Sequence, residues 1–68
     1  MTNRRKMMMN EKVREQILAV RDTGETNMLD TRMVQVIADR MGFFELVCFI
    51  EDHKRDYVNF IFYGDGRD

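Results

Sequence analysis

Apolar residues recur along this chain at spacings of three and four, the repeat of a helix with one buried face. Met9, Val13, Ile17 and Val20 form the first such stripe. It predicts a helix from Glu11 to Thr23, with Asn10 as N-cap and Gly24 at the position after the helix where φ is positive. Val34, Ile37, Ala38 and Met41 follow at i, i+3, i+4 and i+7. They predict a second helix from Thr31 to Met41, capped by Asp30 and ended by Gly42. Leu29 and Val34 hold the positions of a hydrophobic staple. Residues 24–30 form the loop between the two helices.

The pattern changes at Phe43–Ile50, where seven of eight residues are apolar and only Glu45 is polar. A helix with one wet side shows polar residues every turn. This one needs cover on nearly all sides, from the rest of the chain or from a second copy. Phe44, Cys48 and Phe49 are expected to point away from Leu46, Val47 and Ile50.

Charges return over residues 51–56, and residues 57–63 (YVNFIFY) are aromatic and β-branched. A strand there would have no evident partner strand, so a helix is the better reading. One helix over residues 43–63 would run about 31 Å, against about 28 Å for a globule of this size. A break near His53 is therefore expected. The expectation is an all-α fold, a small bundle of three main helices at 11–23, 31–41 and 43–53, plus a short C-terminal helix at 55–63. Its expected core is Val13, Ile17, Val20, Leu29, Val34, Ile37, Ala38, Met41, Leu46, Val47, Ile50, Tyr57, Phe60 and Ile61.

Length sharpens this picture. Sixty-eight residues make one domain, expected over 10–64, with residues 1–9 a disordered extension and 65–68 a flexible end. Met7, Met8 and Met9 are each candidate translation starts. So small a chain buries only about 60% of its unfolded surface and usually needs a further aid. One cysteine and one histidine exclude an internal disulfide and a four-ligand zinc site. Self-association remains, and a homodimer is expected, through some of Phe43–Ile50, of Tyr57–Tyr63, or both. The partner or dimer surface is assigned to Phe44, Phe49, Tyr57, Phe60, Phe62 and Tyr63. The net charge of −1 is no lure for nucleic acid or an anionic membrane. No apolar run approaches the roughly 20 residues of a membrane span, and no secretory leader is visible, so the cytoplasm is the expected compartment.

Candidate chemistry is sparse. Val34–Glu51 has the outline of a helix-turn-helix, but its second helix offers Phe44, Leu46, Val47, Phe49 and Glu51 where base and phosphate contacts need basic and polar groups. An ordinary helix corner is the better reading. Cys48 and His53 are five residues apart, on different faces of a helix, and Cys48 is expected to be a buried structural thiol. Asp52 and Asp56 lack the further ligands of a metal site. Gly64-Asp65-Gly66 has no helix after it and cannot form a phosphate loop. No catalytic residue, cofactor or metal is expected, and no enzymatic activity. The expected function is a small protein-interaction module, an adaptor or inhibitor of another protein. The alternative is a nucleic-acid-associated accessory protein with a degenerate helix-turn-helix-like corner. Its candidate phosphate contacts are Arg4, Arg5, Lys6, Lys54 and Arg55.

Taken together, Glu11–Thr23, Asn27–Asp30, Val34–Ala38 and Glu45–Ile61 give the chain a resemblance over about residues 9–64. It resembles a family of very short, uncharacterised proteins encoded by phages and prophages of Firmicutes-type bacteria, a domain of unknown function. The resemblance supplies no catalytic residue or cofactor. It supplies no partner either, and implies a phage accessory protein acting in a bacterial cytoplasm.

Overall fold

The structure, a computed structural model, describes residues 10–64. Four helices follow one another: α1 (Glu11–Thr23), α2 (Thr31–Arg40), α3 (Phe44–Asp52) and α4 (Lys54–Tyr63). The fold is a small all-α bundle, with no strand among the described residues. The fourth helix, expected to be short, has 10 residues, as many as α2. The expected terminal extensions, residues 1–9 and 65–68, lie outside the described residues.

Local chemistry starts and stops these helices. The Asn10 side chain accepts from Val13 N–H at 2.9 Å, and the Asp30 side chain accepts from Met33 N–H at 3.2 Å. Each satisfies one of the donors that a helix start leaves without a partner. Gly24 ends α1 at φ 67°. After α2, Gly42 has φ 81° and its N–H donates to the Asp39 carbonyl, while Phe43 N–H donates to the Ala38 carbonyl at 2.7 Å. These two bonds are the Schellman pattern. They explain the spacing of Ala38 and Gly42 without any helix-turn-helix.

The break at His53 runs against most of the local charge: it leaves Glu51 and Asp52 at the negative end of α3 and Lys54 and Arg55 at the positive end of α4, with Asp56 alone favourably placed in the first turn of α4. His53 takes φ −138° and ψ 49° between the two helices. The break places Glu51 and Arg55, four residues apart, in different helices.

The core is Val13, Ile17, Val20, Val34, Ile37, Ala38, Leu46, Phe49, Ile50 and Tyr57. Val47, Phe60 and Ile61 are half-buried against it, with Met28, Phe43 and Val58. Two expected core residues stay outside. Leu29 is exposed because its N–H donates to Asn27 Oδ1 and Asp30 N–H donates to the Asn27 carbonyl. That turn sends Met28 inward instead, and Leu29 does not serve as a buried staple. Met41 is exposed because α2 has already ended at Arg40.

Three polar side chains clamp the helices together. Gln16, itself buried, accepts from Leu46 N–H at 2.9 Å and donates to Glu45 Oε1 at 2.9 Å. It thereby caps α3 from across the bundle, where Phe43 offers no side-chain cap. Gln35 donates from α2 to the Val47 carbonyl and to Glu51 Oε1, each at 3.0 Å. Tyr57 donates its hydroxyl proton to the Met28 carbonyl at 2.6 Å.

Gln16 donation, then a backbone N–H bond and a smaller attraction from Lys12, hold the Glu45 carboxyl below its ordinary range against a slight opposing loss of hydration. A depressed carboxyl stabilises the fold above its unfolded pKa, and that support fades as pH falls through the folded value. Gln16→Ala is expected to cost about 1–2 kcal/mol, because it removes two hydrogen bonds between α1 and α3 and leaves the Leu46 N–H only its 3.1 Å bond to the Phe43 carbonyl. Gln35→Ala should cost less, since its Glu51 partner is exposed. Urea unfolding of the two variants checks the order, and equal midpoints would refute it.

Candidate interaction surfaces

Helical rotation of about 100° per residue decides which aromatic side chains the bundle can cover. On α3, Leu46, Phe49 and Ile50 share one face, since Phe49 is only one turn from Leu46. Phe49 is 6% exposed, with its ring 5.5 Å from that of His53. This corrects the expectation that Phe49 faces away; Val47 is the residue that turns aside. Phe44 and Cys48 lie nearly opposite Leu46, and both are exposed, Phe44 at 59%. Cys48 is therefore not the buried thiol expected from its neighbours.

On α4 the fully buried Tyr57 sets the inner face, and Phe60 and Ile61 lie within a turn of it. Tyr57 is thus a core residue and not the surface residue it was also expected to be. Phe60 is half-buried. Phe62 and Tyr63 fall outside that face, at 63% and 75% exposure. Their rings lie 6.2 Å apart at a tilt of 48°.

A groove of about 210 Å³ runs between α1 and α4. Arg14, Ile17, Leu18 and Arg21 line it from α1, and Phe60, Ile61 and Gly64 from α4 and its cap. The α1 residues stand at i, i+3, i+4 and i+7, so the two arginines bracket an apolar centre. Arg14 also pairs with Glu11 at 3.3 Å. Leu18, an apolar residue off the main stripe, was the visible sign of this second face of α1. On α2, Met33 and Val36 are exposed, although methionine is an adaptable side chain and Met33 was expected to fill the core.

The basic corner is more balanced than its residues suggest. Lys54 and Arg55 are exposed at the start of α4. Lys54 shares a polar crevice of about 380 Å³ with Thr31, Arg32, Gln35, Ile50 and Glu51. Asp52 and Asp56 flank this corner in sequence, and α3 itself carries no basic residue. Arg4, Arg5 and Lys6 lie outside the described residues. His53 Nδ1 is 3.9 Å from Asp56 Oδ2. Among the described residues no three His, Cys, Asp or Glu side chains are grouped to hold a metal ion. No helix among them is long and apolar enough to cross a membrane.

A family model described as a domain of unknown function, DUF5049, matches residues 9–65. No curated protein and no solved structure matches the chain.

Proposed function

The chain belongs to the DUF5049 family over residues 9–65, and from that premise we propose that this bundle is a small protein-interaction module. The match takes in every described residue, so the reading rests on the surface of this one domain. One observation carries it. The core closes around Tyr57, Leu46 and Ile50, yet Phe44, Phe62 and Tyr63 stay mostly in water. Burying a phenylalanine is worth about 1.5–3 kcal/mol, and a domain this small has little reason to forgo it without a partner. Its occupant is a host or phage protein, in the manner of an adaptor or inhibitor. The phage or prophage setting, the Firmicutes-type host and the cytoplasm rest on the sequence resemblance; an exposed free thiol at Cys48 suits a reducing compartment.

The nucleic-acid reading draws its support from Lys54, Arg55 and the nearby Arg32, and Glu51, Asp52 and Asp56 stand beside them. Salt separates the two readings, because phosphate binding weakens steeply with added salt. Capture from the bacterial host should yield a protein that survives nuclease and high salt and is lost with Phe44→Ser. Recovery of nucleic acid alone, or capture unchanged by Phe44→Ser, would refute the assignment.

A further inference from the structure

We propose that α2 pairs antiparallel with α2 of a second copy of this chain across a two-fold axis. The pairing goes beyond the interaction-module reading and does not rest on it, since Phe44 stands on another helix. Met33, Val36 and Arg40 follow at i, i+3 and i+7 on α2, the spacing of a coiled-coil seam. All three are exposed, because Val34, Ile37 and Ala38 take the face that meets the core. The Arg40 guanidinium is already held by Glu25 at 2.8 Å, so it brings no unpaired charge to the row.

The charges beside this row identify what covers it. Arg32 and Asp39 each stand one position before a residue of the row and one heptad apart, so they share one of its edges. Both are exposed, and among the described residues neither side chain has a hydrogen bond or an ion pair. Glu51, which shares the polar crevice with Arg32, is taken by Gln35 at 3.0 Å. Each charge is also at the wrong end of its helix, since a base in the first turn and an acid in the last turn oppose the α2 dipole. Local stability therefore does not account for them, and a partner of opposite charge does.

A two-fold interface must complement itself, and this edge does so in one orientation. Laid antiparallel, Arg32 of each copy faces Asp39 of the other, and Met33 of each copy packs on Val36 of the other. The midpoints of the two pairs are one residue apart, about 1.5 Å along the helix, so a single axis serves both. A parallel pair would set this edge against the opposite one, where Ile37 is buried in its own core, and would leave both charges unanswered. With 10 residues, α2 is about 15 Å long. So short a seam belongs with the small, transient interfaces below about 1,200 Å² of buried surface, and its dissociation constant should be on the order of 100 µM.

Sedimentation equilibrium of the full chain in a Cys48→Ser background, from low micromolar to millimolar, should show a monomer passing to a dimer. Val36→Glu should raise the dissociation constant about tenfold or more, with the helical circular dichroism unchanged. Arg32→Asp or Asp39→Arg alone should weaken the dimer several-fold by setting like charges together. Both changes suit the α2 dipole, so lost association does not reflect a lost fold. The two together rebuild the reciprocal pairs and should return the dissociation constant of the parent. A monomer throughout that range overturns the proposal. So does a dimer indifferent to Val36→Glu, or a double exchange no better than the single ones. Phe44→Ser should leave the dimer intact, and a dimer lost with Phe44→Ser overturns the pairing through α2. A monomer that still captures a partner through Phe44 sinks this pairing alone; a dimer that captures nothing sinks the interaction module alone.

Discussion

Tyr57→Ala should leave the chain largely unfolded at room temperature. A domain of 68 residues has a stability of roughly 3–10 kcal/mol at the usual value per residue. Tyr57 is the largest fully buried side chain, and truncating a buried aromatic to alanine costs about 3–5 kcal/mol. The same change removes the donor to the Met28 carbonyl, a bond that ties α4 to the loop before α2. Tyr57→Phe keeps the ring and should cost only about 1 kcal/mol. Urea titration followed by circular dichroism measures both. Equal losses would mean that the hydroxyl matters more than the packing.

Tyr57 also sets an alkaline limit. Burial pushes its hydroxyl up to about 12, against about 10 in an unfolded chain. The neutral phenol is favoured by the fold. The stability it contributes is therefore complete below about pH 10 and disappears as pH rises toward 12. In a Tyr63→Phe background Tyr57 is the sole tyrosine, and tyrosinate absorbance should appear together with loss of helix. Ionisation near pH 10 with the helices intact would contradict the buried placement.

Phe49→Glu should abolish folding at neutral pH and not merely separate one copy from another. The ring is 6% exposed, and the replacement puts a carboxylate into the apolar core, with His53 the one polar ring beside it. A buried charge without full compensation is strongly disfavoured until it takes up a proton. Some helix should return in mild acid. Phe62→Glu is the contrast, since that side chain is mostly in water. It should keep full helical signal and change only association. A helical Phe49→Glu chain at pH 7 would show that α3 does not turn this face inward.

Local signals along the chain were enough to foretell the four helices, their caps at Asn10 and Asp30, the glycine stops and the break at His53. They also pointed to most of the core, from Val13 to Tyr57. The caps, stops and core depend on groups within about one helical turn of each other, such as a side chain and an N–H three residues on, or an apolar repeat on one face, and the break follows from the length of a single 43–63 helix against the size of the globule. Packing settled what those signals left open. Phe44, Cys48 and Phe49 share one apolar run; helical rotation sets Phe49 beside Leu46 and the other two opposite, and only the way α3 packs on α1 and α2 settles that the Leu46 side is the covered one. Of the two apolar loop residues, Met28 packs on the core and Leu29 does not, because of a turn at Asn27. Gln16, Gln35 and Tyr57 find partners 12 to 30 residues away, and no local pattern announces such a pairing. The α1/α4 groove exists because two helices distant in the chain run side by side without closing, a property of the packing that neither helix carries alone.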